Sequence, residues 1–504
     1  MTRGRLITVT RVFTSLLADE AGHTASALGG RAAGAGAAAR RAEAARMALE
    51  RLGPFWVKVG QIMSTRSDFV PLHMRKEFEK LHDEVGVAPF SIFEPQLEAE
   101  LGQGWRRMFR EVHTAEPLGS ASLAQVYRVV LANGQHGVLK LQRPDIREMV
   151  LADMRLFRRG ARVVRRCAPR FNAVIDIEAM LNVVFEAMEA ELDFTVEAAN
   201  MEQGRRLAER FESISVPQVY LATPKVLVQS QAPGCSIRDV GKGGLPDDQR
   251  LAIGRDLLRF MYHGYYLERM FHADPHPGNI FVQKGEQATL IDWGLVGRVD
   301  RPTSRDALRI LMHVAGNDGS GAARAWLELG RATPWADIAG FCGDIAALVP
   351  KLTDASLDQL NFGVTLTSVM KCSARRGIKT SPMISLLARS FSTLEGSIRC
   401  IAPELTVTEV LREDICDIMC HLVGETISHT KAASDVLEAI AIAHSAPEQL
   451  RSIVRDVANR DLSIQISRAP PSVPGAMAPV LPLAAGLGLV ALILHHRRKM
   501  QGNR

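Results

Sequence analysis

Aromatic residues are scarce in this chain, at 6% of its 504 residues. Ala, Leu and Val must therefore do most of the packing, and a hydrophobic fraction of 47% suffices for a sizeable interior. No sign of charge dominates. A formal net charge of +6 favours anionic partners such as nucleotides or lipid head groups without demanding nucleic acid. Cysteine is sparse too: seven residues, an odd number with no CxxC pair. Cys416 and Cys420 stand four apart with no matching His pair. That excludes a disulfide-built secreted scaffold and gives no zinc signature, so all seven are read as reduced thiols. No long apolar run follows Arg3 and Arg5, and Asp19 and Glu20 come early, so no secretory signal peptide is expected. No internal repeat is present. The length exceeds one ordinary core and points to a two-lobed unit with additions.

Residues 1–44 form an Ala/Arg-rich leader, loosely held up to about residue 35, with a helix expected from Ala33 to Leu52. Residues 45–115 read as a helical extension, in which Met74, Phe78, Leu81 and His82 recur at helical spacing. Pro71, Pro89 and Pro95 divide it. The texture changes at Pro117. Two β-rich runs, Ser122–Leu131 and Gly137–Leu141, flank Asn133-Gly134, a strong hairpin signal. Helical pattern returns over Ile146–Cys167 and Asp176–Leu207, and Val216–Val228 reads as strands. After the Gly234 loop the chain is helical to about residue 460, except for short strands and turns over Phe271–Val299. These boundaries give a small β-containing lobe over 116–232 and a large helical lobe over 233–468. The fold class is α+β, with two lobes around a nucleotide.

The chemistry lies in His272-Ala-Asp274-Pro-His276-Pro-Gly-Asn279, followed by Ile291-Asp292-Trp293-Gly294. Phosphoryl transfer from ATP needs one carboxylate to orient the attacking hydroxyl or water. It also needs an amide oxygen and a second carboxylate to hold Mg²⁺ against the phosphates. Asp274 and Asn279 have the five-residue spacing of a kinase catalytic loop, and Asp292–Gly294 fits the metal-binding Asp-x-Gly turn that follows it. An Asp-x-Gly turn alone is weak, because turns favour these residues; the loop and turn together are specific. Lys140 closes the second hairpin strand, where a Lys pairs with nucleotide phosphates and is held by a Glu on a following helix. Glu191 and Glu197 are the candidates.

At these residues the chain resembles the UbiB family of atypical, protein-kinase-like proteins over roughly residues 45–430. Lys58-Val-Gly-Gln61 resembles the family's KxGQ signature. Ser120-Ala121-Ser122-Leu-Ala124-Gln125-Val126 resembles the Ala-rich loop that stands where ordinary kinases have glycines. Val138-Leu-Lys140-Leu-Gln-Arg-Pro144 resembles the Lys strand, and Glu191-Leu-Asp193-Phe194, with Glu197 and Asn200, the ExD element. Thr393-Leu-Glu395-Gly396 resembles a C-lobe helix of the family. The resemblance implies a two-lobed protein-kinase-like fold with a helical extension over the active site, and ATP with Mg²⁺ as cofactors. It implies Asp274 as the catalytic-loop Asp, Asn279 and Asp292 as metal ligands, Lys140 on phosphate and Glu197 as its partner. Glu191 and Asp193 would face the KxGQ segment, with Lys58 and Gln61 reaching into the cleft. The loop residues Ser120, Ala121, Ser122, Ala124, Gln125 and Val126 would border the nucleotide. The family's association is with ATPase activity and isoprenoid quinone synthesis, more than with phosphorylating proteins. Trp293 replaces the usual Phe, and the hinge reads Gln229-Ser230-Gln231.

Val473–Leu494 carries no charge and is followed by His495-His-Arg-Arg-Lys499. Its length matches a bilayer core of about 30 Å at about 1.5 Å per residue. Pro474, Pro479 and Pro482 interrupt it, and a single span would export the basic tail against the positive-inside tendency. A shallow or re-entrant insertion, with the basic residues on anionic head groups, satisfies both constraints. The expected location is the membrane, with the kinase-like domain cytoplasmic. Partners would be membrane lipids or quinone precursors and proteins of a biosynthetic complex. Arg155, Arg158, Arg159, Arg162, Arg165 and Arg166 make a basic helical stripe, read first as a solvated face. No aromatics interleave it, so nucleic acid is not expected. The leading function is a membrane-associated ATPase or phosphotransferase. The alternative is a nucleotide-switched pseudokinase scaffold, and a peptide-directed kinase is disfavoured by the covering extension.

Overall fold

In a computed structural model of the chain, the described residues are 35–65, 70, 72–81, 86–167, 185, 188–240, 244–353 and 362–426, with Arg5, Thr8, Val9, Arg11 and Val12. Most of the leader, the start of the 176–207 pattern, and the apolar stretch 473–494 with its basic tail lie outside them. Among the described residues no helix is long and apolar enough to cross a membrane.

Helices α1 (Ala35–Leu52), α2 (Pro54–Thr65) and α3 (Leu72–Phe78) form the extension. Gly53 supplies the positive φ of +92° that turns α1 into α2. Phe55, Trp56 and Val59 of α2 pack against Val150, Met154 and Phe157 of a later helix, while Val57 joins Met74, Phe78 and Leu81 on its other side. The leader is not wholly loose, because Arg5 pairs with the buried Asp153 and Val9 enters the same cluster.

Helix α4 (Glu94–Leu101) leads to β1 (Phe109–Val112), β2 (Gly119–Ser120), β3 (Ala124–Leu131) and β4 (His136–Gln142). Asn133-Gly134 turns β3 into β4 with Gly134 at φ +88°, as the sequence predicts. The long helix α5 (Ile146–Cys167) and the shorter α6 (Phe194–Ala208) follow, then β5 (Ile214–Ser215), β6 (Val219–Ala222) and β7 (Val226–Ser230). The antiparallel sheet runs β1-β3-β4-β7-β6, with β2 beside β3. Side chains alternate between its faces. Tyr127, Val129, Leu139, Leu141, Val226 and Val228 pack on Phe90, Phe93, Leu97 and Trp105. Residues 90–112 therefore belong with this lobe, not with the helical extension that the sequence suggested to residue 115: their aromatic side chains are the cover of the sheet's outer face.

The second lobe opens at β8 (Cys235–Ser236) and continues through the central helix α7 (Asp247–Tyr266). Gly234 marks the junction. Its φ is +76°, and a Cβ there would sit 2.0 Å from the Val282 carbonyl oxygen. Short strands β9 (Met270–His272), β10 (Ile280–Val282), β11 (Ala288–Leu290) and β12 (Val296–Arg298) carry the chemical loops. Helices α8 (Arg301–Ala315), α9 (Gly319–Leu329), α10 (Ile338–Thr353), α11 (Phe362–Arg375), α12 (Pro382–Ile401) and α13 (Val407–Thr426) complete it. The scarce aromatics are concentrated inside: Trp56, Trp105, Trp293, Trp326, Tyr262, Tyr265 and Tyr266 are fully buried.

Candidate active site

The site is built where β4, α6, the loop after β9 and the turn after β11 converge. Val126 lies opposite Lys140 in the β3–β4 ladder, so both point to the same face of the sheet. Asp193 caps α6 by accepting from the Thr195 amide at 3.0 Å, which fixes the helix start and puts Glu197 in its first turn. Lys140 Nζ donates to Glu197 Oε1 at 2.9 Å and Oε2 at 2.8 Å. It also stands 3.7 Å from Asp292 Oδ1. Burial alone would push the ammonium down, yet Glu197 and Asp292 outweigh it and hold the group above the ordinary lysine range, so it stays protonated. Burial raises the Glu197 carboxyl, with Lys140 offsetting part of that rise. Asp292 behaves oppositely: against its own desolvation, the charges of Lys140, His272 and Lys58 bring it below the usual carboxylate range.

Asp292 adopts φ +62°, a strained conformation for a residue with a side chain. His272 holds it there. The buried ring accepts the Asp274 amide at Nδ1, 3.2 Å away, so its proton sits on Nε2. Nε2 donates to the carbonyls of Ile291 and Asp292 at 3.1 and 2.9 Å. Burial lowers the pKa of this imidazole and favours its neutral form. The Asp292 side chain is 56% exposed.

Asn279 donates Nδ2 to the Asp274 carbonyl at 3.1 Å. Its Oδ1, the oxygen a cation would need, makes no hydrogen bond with a described residue. Mg²⁺ characteristically takes one or two protein oxygens and fills its shell with phosphates and water. Asn279 and Asp292 fit that demand. Among the described residues no group of three or more His, Cys, Asp or Glu forms a self-sufficient metal site.

The other expected residues divide. Lys58 pairs with Glu191, joining the extension to the residues just before α6. Asp193 uses Oδ1 to accept from the Thr195 amide and hydroxyl as the cap of α6. Gln61 donates to the Leu81 carbonyl at 3.2 Å, tying α2 to the chain after α3. Gln125 is a correction. Strand alternation puts it on the face away from Lys140, fully buried. There it pairs with both backbone groups of Ala88, at 3.0 and 2.9 Å. Ala124 packs into the main core, and Ser122 is buried. Ser120 and Ala121 stay at the surface and are held by Arg143, which donates to the Ala121 carbonyl at 2.8 Å, to Ser120 Oγ at 2.8 Å and to the Gly86 carbonyl at 3.0 Å.

The ABC1 atypical kinase-like domain family matches residues 80–325. A Vibrio vulnificus (strain CMCP6) protein named "Probable protein kinase UbiB" is 30% identical over 387 residues, covering 75% of this chain and 71% of that protein. The chain belongs to the UbiB family of atypical kinase-like proteins. An uncharacterised Clostridium pasteurianum protein from the hydrogenase 1 5′ region is 28% identical over 369 residues, 73% of this chain and 69% of its own length. Among solved structures, the Rv3197–erythromycin complex from Mycobacterium tuberculosis aligns with 68% of this chain and 91% of its own, at 20% identity and a TM-score of 0.43.

Two residues of this UbiB chain escaped the sequence reading. Arg143 stands three residues after Lys140, inside a motif already quoted, but nothing local says that its guanidinium returns to the Ala-rich loop. Arg389 donates to Asp274 Oδ2 at 2.6 Å across 115 residues, a separation over which no spacing rule operates.

Proposed function

We propose that the chain is a Mg²⁺- and ATP-dependent enzyme, an ATPase or phosphotransferase working at the cytoplasmic face of a membrane in isoprenoid quinone or other lipid synthesis. The observation that carries the reading is the closed Lys140–Glu197 pair with Asp292 at 3.7 Å. A charged lysine beside a low-pKa carboxylate is what a polyphosphate with its cation needs. In this reading Asn279 and Asp292 hold Mg²⁺, which supplies charge neutralisation to the phosphates when bound. Lys140 binds phosphate, and Asp274 orients the attacking hydroxyl or water. The extension is pinned beside the site by Lys58–Glu191, which supports a lipid-like substrate or water as acceptor over a peptide. The membrane assignment is supported by the uncharged stretch 473–494 and its basic tail.

A second reading, a nucleotide-switched scaffold, is favoured by the Arg143 ties on the Ala-rich loop, which limit how closely its backbone can follow a moving phosphate. The separating experiment follows ATP hydrolysis by the full chain with and without anionic vesicles. Hydrolysis that needs Mg²⁺ and rises with vesicles supports the enzyme. Nucleotide binding without hydrolysis under either condition supports the scaffold.

A further inference from the structure

Between Asp274 and Asn279 the loop offers only Pro275, His276, Pro277 and Gly278, and His276 Nδ1 accepts the Gly278 amide at 2.9 Å. No Lys or Arg lies within it. The positive charge reaches Asp274 from α12 instead. Arg389 Nη2 donates to Asp274 Oδ2 at 2.6 Å, with both side chains about three-quarters buried, at 22% and 24% exposed. The adjacent Ser390 donates to the His272 carbonyl at 2.6 Å. Its oxygen accepts from the Tyr265 hydroxyl at 2.8 Å, since its one proton is already used. About two turns further on, Ser397 donates to the Pro275 carbonyl at 2.7 Å. Residues 272, 274 and 275 are thus each held by a side chain from one face of one helix. Asn279 in turn donates to the Asp274 carbonyl. These contacts hold the loop jointly, Arg389 being the one that fixes the Asp274 carboxylate, and Oδ1 makes no hydrogen bond with a described residue.

We propose that Arg389 is the positioning residue of this site: it anchors Oδ2 of Asp274 and thereby presents Oδ1 to the attacking hydroxyl or water. The inference rests on reading the site as a phosphoryl-transfer centre. A guanidinium suits the task, being planar, permanently charged and directional, whereas an ammonium supplies charge with less orientation. Small misplacements of a reacting group are costly, on the order of 100-fold for about 1 Å.

The test uses the full-length protein with Arg389→Ala, Arg389→Lys and Asp274→Asn, each checked for an unchanged unfolding temperature. Two readouts are taken: amide hydrogen exchange over the 272–279 loop, which needs no turnover, and kcat and KM for Mg-ATP hydrolysis. Arg389→Ala is expected to speed exchange of the Asp274 and His276 amides and to lower kcat by about 10- to 100-fold with KM nearly unchanged. Arg389→Lys should recover part of both. Arg389→Ala added to Asp274→Asn should cost nothing further, because the two act as a unit. Normal exchange and normal kcat in folded Arg389→Ala overturn the proposal. So does a rise in KM alone, which would make Arg389 a nucleotide contact, or a loss that persists undiminished beside Asp274→Asn. If the wild type hydrolyses nothing yet the exchange difference appears, positioning stands and the phosphoryl-transfer reading falls. If the Ala variant does not fold, the exchange and kcat of the Lys variant decide: wild-type values in both would overturn the orientation argument.

Discussion

The indole of Trp293 lies against the bare α-carbon of Gly204. A Cβ at that position would stand 2.3 Å from Cη2 and 2.7 Å from Cζ2 and Cζ3. The Asp-Trp-Gly turn therefore accommodates its large side chain because α6 offers no side chain in return. Trp293 Nε1 donates to the Leu290 carbonyl at 2.9 Å, and Asn200 of α6 donates to the Trp293 carbonyl at 3.1 Å, so the turn is tied directly to α6. Gly204→Ala should destabilise the protein by about 1–3 kcal/mol through overpacking. Thermal unfolding checks this, and Trp293→Phe placed beside Gly204→Ala should restore part of the loss.

Glu197→Gln keeps the shape at Lys140 but removes its principal counter-charge. The ammonium then leans on Asp292, already within 3.7 Å, and occupies the carboxylate proposed to hold the cation. Mg-nucleotide affinity should fall by about ten-fold or more, equivalent to about 1.4 kcal/mol. Titration with a fluorescent nucleotide measures it. Undiminished affinity would detach the ion pair from nucleotide binding.

Arg143→Lys retains charge but not the fork that reaches Ala121, Ser120 and Gly86 together. Limited proteolysis and hydrogen exchange should show the 86–88 strap and the Ala-rich loop opening more readily. The unfolding temperature should fall only slightly, since these bonds lie near the surface.

Arg5 bears on stability through pH. Burial pushes the Asp153 carboxyl up, and Arg5 and the Trp56 indole pull it back only in part, so folding raises it above the ordinary value. A carboxyl raised by folding holds its proton more tightly in the folded chain. Its contribution is therefore complete below the unfolded value and is lost as pH rises through the folded one. Arg5→Ala raises it further and leaves the ionised group unpaired, a loss of about 3–5 kcal/mol near neutral pH. The drop in unfolding temperature should be larger at about pH 8 than at about pH 5, and Asp153→Asn in the same chain should flatten the difference.

Much of the small lobe and the chemical loops was legible because local rules govern them. Asn133-Gly134 fixes a hairpin, the alternation along β4 fixes the direction of Lys140, and the spacing of Asp274, Asn279 and Asp292 survives as sequence. Strand alternation would have excluded Gln125 from the Lys140 face had it been applied along β3, since Val126, not Gln125, lies opposite Lys140. The assignment of residues 90–112 to the sheet was not legible, because α4 is short and its Leu97 meets Tyr127 only after the sheet forms. Arg5 with Asp153, Arg143 with Ala121 and Arg389 with Asp274 were invisible for the same reason: each joins segments that only the tertiary fold brings together.

Lys140, Asn279 and Asp292 are proposed to prepare this chain to turn over Mg-ATP. The most direct measurement is Mg²⁺-dependent ATP hydrolysis by the full-length wild type beside Asp292→Asn, both shown to be folded. Turnover is expected in the wild type, falling by about 100-fold or more in the variant and vanishing without Mg²⁺. Equal rates in the two proteins, or nucleotide binding with no hydrolysis in either, would contradict it.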